Sequence, residues 1–244
     1  LKLLLLPGMD GTGLLFEPLL EALPNWIEPS IVVYPPQEPL GYAELLAHVQ
    51  TACPTAEEFA VLAESFSGPL AVMLAASEPR GLHGVVLAAS FIRCPLSAPW
   101  SWLLSRARPI CFRLAPKWPA RRLLFGRHGN DCLDRLLATA LAMVSPETMA
   151  ARARTIAGVD VTAELRSCQL PLVYLIAKED RVVRPNCLAM IQSEKPDIEV
   201  VELAGPHLLL QACPQEAAHA VASFVERSMI GPGSCAGSPI DSER

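Results

Sequence analysis

Apolar residues gather along this chain in short runs separated by longer mixed stretches. Runs of four to seven positions rich in Leu, Val, Ile and Ala occur at 3–6, 31–34, 59–63, 85–89, 171–177 and 198–203. Segments this short and this apolar on both sides read as strands buried on both faces. Between them, 16–23, 42–52, 68–76, 186–193 and 215–228 have helical character, and in 42–52 the spacing of Leu45, Leu46 and Val49 sets one apolar face. Strands alternating with helices predict an α/β fold, a mostly parallel sheet with helices on both faces.

That rhythm breaks at 93 and resumes near 158. Residues 93–157 carry no strand pattern, only tryptophans, prolines and broken helical stretches such as 100–106 and 131–143. They read as a helical cap inserted into a core made of 1–92 and 158–230, while the Gly-, Ser- and Pro-rich stretch 231–244 reads as a disordered tail. No internal repeat interrupts this layout.

Composition fits the pattern. The 244 residues suit one core domain, and 51% hydrophobic content supplies a large interior. A net charge of −5 argues against a nucleic-acid partner. The charge is unevenly spread, however: 93–154 holds eleven of the twenty Lys and Arg against only Asp131, Asp134 and Glu147. No apolar run approaches the roughly 20 residues of a membrane span. The opening Leu-rich stretch is too short for a signal-peptide core and reads as a strand. The chain does not open on Met, which leaves room for residues upstream of Leu1. Eight cysteines without a C-x-x-C pair or metal spacing read as reduced, mostly buried thiols of a cytosolic protein, with no structural zinc.

The chemistry is concentrated at Ser65. The strand 59–63 runs without a loop into a helix starting at Gly68, so Ser65 sits at the corner. A serine at so tight a turn is forced into a strained backbone conformation, projects its hydroxyl clear of the sheet, and faces the N-terminal dipole of the next helix. Small residues are needed where strand and helix nearly touch, usually as G-x-S-x-G; here Ala63 and Ser67 take the glycine positions, with Gly68 one further on. The plainer reading of such a serine is a helix N-cap.

A serine attacks only when a base takes its proton and a third group orients that base. Of five histidines, only His207 follows directly on a buried strand, at the carboxyl edge where open α/β sheets place their sites. The orienting acid belongs between the two in sequence. Asp180, just past the strand 171–177, supplies it; its neighbour Glu179 is a substitute, Asp160 a further candidate, and a solvated turn beside Arg181 the plainer reading. An oxyanion needs two backbone N–H donors. Phe66, after the serine, offers one, and Met9 in the glycine-rich loop 7–13 the other, with Gly8 allowing close approach and Gly11 and Gly13 shaping the turn. That loop has neither G-x-G-x-x-G nor a P-loop lysine, which argues against phosphate binding.

With these motifs in this order, the chain resembles the α/β-hydrolase fold superfamily, of the serine carboxylesterase type with a helical cap, over residues 1–228. The resemblance rests on the oxyanion loop, the corner serine, the cap, the acid loop Ala177-Lys178-Glu179-Asp180 and the late Gly205-Pro206-His207. It implies Ser65 as nucleophile, Asp180 as acid, His207 as base, and Met9 and Phe66 as oxyanion donors, with no cofactor and no metal. Departures are Pro7 in place of the common histidine, Ala63 and Ser67 in place of elbow glycines, and Pro206 before the histidine. The chain also opens at what is usually the third strand, implying a trimmed first hairpin.

The implied activity is hydrolysis of a small-molecule acyl ester through an acyl-enzyme intermediate. A serine at the corner, rather than an acid, argues against dehalogenase or epoxide hydrolase chemistry. Trp100, Trp102, Phe112, Trp118 and Phe125 either line an acyl pocket or form the cap's own small core. The cap arginines 106, 108, 113, 121, 122, 127 and 135 are either a solvated face or a dock for an anionic carrier. The latter is similar to the pimeloyl-carrier-protein methyl ester esterases, where an acyl group arrives on an acidic protein. A thioesterase or acyltransferase with the same three residues, and a non-catalytic binding protein on the same fold, are the alternatives.

Overall fold

The computed structural model describes residues 1–115 and 117–230. Six strands form one wholly parallel sheet: β1 (Lys2–Leu6), β2 (Glu28–Ile31), β3 (Phe59–Glu64), β4 (Leu82–Ala88), β5 (Leu172–Ala177) and β6 (Glu199–Leu203). Their order is β2-β1-β3-β4-β5-β6. Among the described residues twelve α-helices accompany them: α1 (Glu17–Ala22), α2 (Tyr42–Ala52), α3 (Gly68–Ala76), α4 (Ala98–Leu104), α5 (Pro109–Leu114), α6 (Lys117–Leu124), α7 (Asp131–Met143), α8 (Pro146–Gly158), α9 (Thr162–Ser167), α10 (Pro185–Glu194), α11 (Leu209–Ala212) and α12 (Pro214–Ile230).

Alternation along each strand divides the interior in two, because successive side chains point to opposite faces. Leu4, Leu6, Val61, Val85 and Tyr174 pack with α2, α3, α9 and α10 on one side. Leu3, Leu5, Leu62, Val86 and Val173 pack with α1, α11 and α12 on the other. Every residue of β3 is buried, which accounts for its unbroken apolar run up to Ala63.

The second strand lies three residues earlier than the apolar run at 31–34 suggests. Residues Glu28–Ile31 pair with β1 at the sheet's edge, with three of the four exposed. The apolar residues come after the ladder. Val32 still donates its N–H to Leu5 O at 3.0 Å, and the chain then bends so that Tyr34 N–H meets Gly11 O at 2.8 Å. Val32 and Tyr34 are buried because this segment dives into the core. An edge strand needs little apolar content, so hydrophobicity here marks the dive rather than the strand.

Between the neighbouring strands β4 and β5 the chain makes a long excursion through α4–α9. An antiparallel bridge between Arg93 and Asp160 closes its base. Phe125, Leu133, Leu137 and Ala140 of this insertion pack with Leu15 and Leu208 of the core. The cysteines depart from expectation: of the seven described, all free thiols, only Cys168 and Cys187 are buried, while Cys111 and Cys132 are exposed. The last two lie in the insertion, whose small core leaves much of its surface open. Cys235 and the stretch 231–244 lie outside the described residues.

The corner between β3 and α3 is the tightest point of the fold. Ser65 has φ +48°, in the left-handed region. Ser65–Ser67 form one 3-10 turn that passes directly into α3. The close approach falls at Gly68, where an added Cβ would lie 1.8 Å from Ser90 Oγ and 2.8 Å from Ser90 Cβ, just past the end of β4. This explains how the corner forms with Ala63 and Ser67 in the usual glycine places: the glycine that the packing demands is one position later. Gly68→Ala is expected to destabilise the fold by about 2–3 kcal/mol, since overpacking an occupied core site forces the backbone apart. Urea unfolding measures it; Ser90→Gly in the same chain should recover part of the loss.

Candidate active site

Three loops at the carboxyl edge of the sheet converge on Ser65. The chain leaves β6 through Gly205 and Pro206 and places His207 under α11, where it is 3% exposed. Ser65 Oγ lies 2.8 Å from His207 Nε2. The loop after β5 places Asp180 Oδ2 2.8 Å from His207 Nδ1. Asp180 is itself fixed: its Oδ1 accepts the backbone N–H groups of Val182 and Val183 at 2.7 and 2.9 Å. With a carboxylate at Nδ1, that nitrogen carries the proton and Nε2 is left to accept from the serine hydroxyl. The three residues thus stand in one hydrogen-bonded line, oriented for the serine to lose its proton to the imidazole.

The other candidate acids point elsewhere. Glu179 accepts from His128 at 3.3 Å and Arg127 at 2.6 Å, both in the insertion. The His128 hydrogen bond first, and Arg127 with it, hold Glu179 below the usual carboxylate range. Asp160 bonds Thr162 at the start of α9 and pairs with Arg93 at 3.1 Å. Neither faces His207.

The glycine-rich loop after β1 lies beside the serine turn. Gly11 and Gly13 adopt φ of +70° and +74°, as a tight reversal requires. Gly8, by contrast, has room: an added Cβ would meet only ordinary contacts, the nearest being Glu64 Oε2 at 3.6 Å. Among the described residues, the Met9 N–H has no hydrogen-bond partner. Phe66 is buried in the turn, its ring stacked on Tyr42 at 4.8 Å, and its carbonyl accepts from Tyr42 Oη at 2.8 Å.

The pieces are held in register by hydrogen bonds between segments far apart in the sequence. Ser67, in a glycine position, donates to Pro7 O and accepts from Tyr34 Oη at 2.6 Å, tying the serine turn to the loop after β1. Ser90 Oγ donates to Ser65 O at 2.6 Å, while Tyr174 Oη engages both the N–H and the carbonyl of Ser90. Arg152, from α8 in the insertion, is fully buried. It donates to Met9 O at 2.9 Å, Asp10 O at 2.7 Å and Pro35 O at 3.1 Å. Burial lowers its pKa, against the nearby Asp10.

Glu64, the residue before the serine, is 1% exposed and accepts from Gln211 Nε2 of α11 at 2.9 Å. Burial pushes its carboxyl from 4.5 up to about 7, opposed by Gln211, His207 and the Gly8 backbone and reinforced by Asp10. The available signal was a lone charge ending an otherwise apolar strand. Arg152 offered none, because helical spacing does not say which way an arginine turns.

The aromatic candidates do not gather. Phe125 is fully buried in the insertion's core, whereas Trp100, Trp102 and Trp118 are 60%, 59% and 69% exposed. Phe112 is half-buried. An apolar cleft of about 250 Å³ lined by Trp118, Leu137 and Leu141 lies between α6 and α7 and includes neither Ser65 nor His207. Among the described residues, no three His, Cys, Asp or Glu side chains are placed to hold a metal ion.

Comparison with known proteins agrees with this layout. The model of the Alpha/beta hydrolase family matches residues 3–223. No curated protein matches the chain. Among solved structures, a lipase-esterase related protein from Clostridium acetobutylicum is similar at 14% identity, with 92% of this chain and 94% of that one covered and a TM-score of 0.77. A bromoperoxidase from Bacillus anthracis superimposes with a TM-score of 0.80 at 14% identity, covering 93% and 92%. An enol-lactonase from Burkholderia xenovorans gives 0.73 at 15% identity, covering 93% and 91%. At such identities the likeness is one of fold.

Two outcomes follow from the buried charges. A raised carboxyl contributes stability that is full below its unfolded pKa of 4.5 and is lost as pH rises through about 7. Glu64→Gln should therefore lose less stability than the parent between about pH 5 and 8, by on the order of 3 kcal/mol, in urea titrations at each pH. Arg152→Lys, which keeps the charge but not the planar fork, should cost about 3 kcal/mol by the same measurement.

Proposed function

From the chain's membership of the alpha/beta hydrolase family, whose model spans residues 3–223, we propose that it is a carboxylic ester hydrolase working through Ser65, His207 and Asp180. The observation that carries this reading is the unbroken hydrogen-bonded line from Ser65 Oγ through the His207 ring to Asp180. Ser65 attacks the acyl carbonyl as His207 Nε2 takes its proton, and the imidazolium so formed is stabilised by Asp180. The tetrahedral oxygen is met by the N–H groups of Met9 and Phe66. Their placement depends on Arg152 and Tyr42, which hold the carbonyls of those same residues. His207 then returns the proton to the leaving alcohol. Water, activated by the same base, attacks the acyl-enzyme and frees the acid. No step calls for a metal or an organic cofactor.

The insertion acts as a cap over this edge. Leu208, next to the base, donates its N–H to Leu124 O at 3.1 Å, and Arg152 reaches the oxyanion loop from the opposite end of the insertion. Motion of the cap would therefore be felt at both sides of the reacting carbonyl. The substrate is a small acyl ester. A carrier-linked acyl group is the narrower form of this reading, and the cap's arginines argue less for it than their number suggests. Arg113 pairs with Glu147, Arg121 with Asp134 and Arg127 with Glu179, which removes three of the seven from any docking face. The free thiols suit a reducing, cytosolic setting.

The test is turnover of p-nitrophenyl acetate, butyrate and octanoate by the parent and by Ser65→Ala, with and without an added alcohol acceptor. Hydrolysis that falls by roughly 10³-fold or more in the variant is the expected result. Unchanged turnover in Ser65→Ala would overturn the assignment. Formation of a new ester with the added alcohol, at the expense of free acid, would make the enzyme an acyltransferase with the same residues.

A further inference from the structure

Helices α4 and α5 bury no residue at all, although their sequences, APWSWLL and PICFRL, are as apolar as a core helix. Both lie on α8, which turns Arg152 inward, and they present their own apolar side chains outward. Trp100, Trp102, Leu103, Ile110, Leu114 and Trp118 are between 49% and 73% exposed. Of the eleven large hydrophobic residues exposed among those described, eight fall between Leu96 and Leu123. Isolated exposed apolar residues are ordinary, but this concentration in three successive helices marks an interaction surface.

The charge on the same segment is one-sided. Residues 93–130 contain seven arginines and a lysine and not one Asp or Glu. Arg106, Arg108 and Arg122 form no ion pair among the described residues, and the Arg106 guanidinium lies over the Trp102 ring at 3.9 Å. The other four arginines of the segment, Arg93, Arg113, Arg121 and Arg127, pair with Asp160, Glu147, Asp134 and Glu179.

We propose that α4–α6 form a docking surface for an anionic lipid bilayer. The helices would lie in the plane of the interface, with tryptophan rings at headgroup depth, leucines below them and arginines paired with lipid phosphates. Three observations favour a lipid surface over an acidic protein. Three of the exposed side chains are tryptophans, and indole is the side chain suited to the boundary between water and acyl chains. Arginines are interleaved with leucines, the composition of an interfacial amphipathic segment. An acidic carrier would satisfy the arginines yet leave the tryptophans and leucines against a charged face. The cleft beside Trp118, apolar and open, offers room for part of a lipid tail. No described helix is long and apolar enough to cross a membrane, so the contact would be peripheral. This inference stands apart from the chemistry at Ser65 and does not require it.

The test is partition of the whole chain onto vesicles of phosphatidylcholine alone and of phosphatidylcholine with about 30% phosphatidylglycerol. It is followed by sedimentation and, in a Trp26→Phe background, by indole fluorescence. The expected result is binding to anionic vesicles at least roughly tenfold tighter than to neutral ones, with a blue-shifted emission, and weakening as salt rises from about 0.1 to 0.5 M. Trp100→Ala, Trp102→Ala and Trp118→Ala combined should abolish it while the circular dichroism spectrum is kept, because all three side chains are exposed. Failure of the folded parent to bind anionic vesicles would overturn the proposal, as would equal binding by the triple variant. So would a dimer in light scattering that the triple variant dissolves, or salt-sensitive binding of an acidic acyl carrier protein by a chain that ignores vesicles.

Discussion

Everything at this sheet edge depends on holding Ser65 in a backbone conformation that it would not choose. A non-glycine residue with φ near +48° costs on the order of 1–3 kcal/mol and persists only if its surroundings determine it from several sides. They do so here. Ser90 Oγ holds the Ser65 carbonyl, and Ser90 is itself gripped at both backbone groups by Tyr174. Gly68 lets α3 press against Ser90, and Tyr42 fixes the carbonyl of Phe66. The turn that follows β3 is thus held by a residue just past the end of β4, which is in turn held by Tyr174 of β5.

A second constraint is electrostatic. Two groups that would be charged in water, Glu64 and Arg152, are buried beside the loop after β1, Glu64 next to Gly8 and Arg152 next to Gly11. Burying a charge is costly unless it is met by hydrogen bonds, and the two meet that requirement differently. Arg152 remains a cation and spreads three donor contacts over the carbonyls of Met9, Asp10 and Pro35. Glu64 has one side-chain partner, Gln211, and moves its titration towards neutrality instead. Within that loop Arg152 takes the carbonyls of Met9 and Asp10, Ser67 takes that of Pro7 and the Tyr34 N–H that of Gly11, while the Met9 N–H has no partner among the described residues. The insertion therefore reaches into the core's own loop, and its removal would leave three carbonyls without partners.

Much of this was legible in the chain. Tyr42–Ala52 coincides with the helix whose apolar spacing marks it, and Gly68–Ala76 with the helix read after the corner serine. The strained corner at Ser65 followed from a strand meeting a helix with no residues to spare. The second strand was displaced because apolar content tracks burial, and at Val32 and Tyr34 burial and pairing part company. The supporting residues were less visible for a related reason. Ser67, Tyr34, Ser90 and Tyr174 act through single hydrogen bonds between segments far apart in sequence, and no local period encodes a partner some thirty to eighty positions away. Glu64 alone left a mark, as a charge at the end of a run that had room for none.

The insertion inverts the usual arrangement of a helical layer, and that inversion explains why its aromatic residues were ambiguous. In an ordinary layer the apolar stripe faces the core and the charges face water. Here α8 sends an arginine inward to satisfy backbone carbonyls, while α4 and α5, lying on α8, keep their tryptophans and leucines outside. Of the aromatic candidates Phe125 alone is fully buried, packed with Leu133, Leu137 and Ala140 where the insertion touches Leu15 and Leu208, while α8 buries Met149, Ala150 and Ala153. The insertion is anchored by polar contacts at one end and a small apolar cluster at the other, so its stability does not require α4 and α5 to bury their apolar faces. That leaves those faces open to the proposed lipid surface, and the arginines without an ion pair among the described residues, Arg106, Arg108 and Arg122, suit an anionic one.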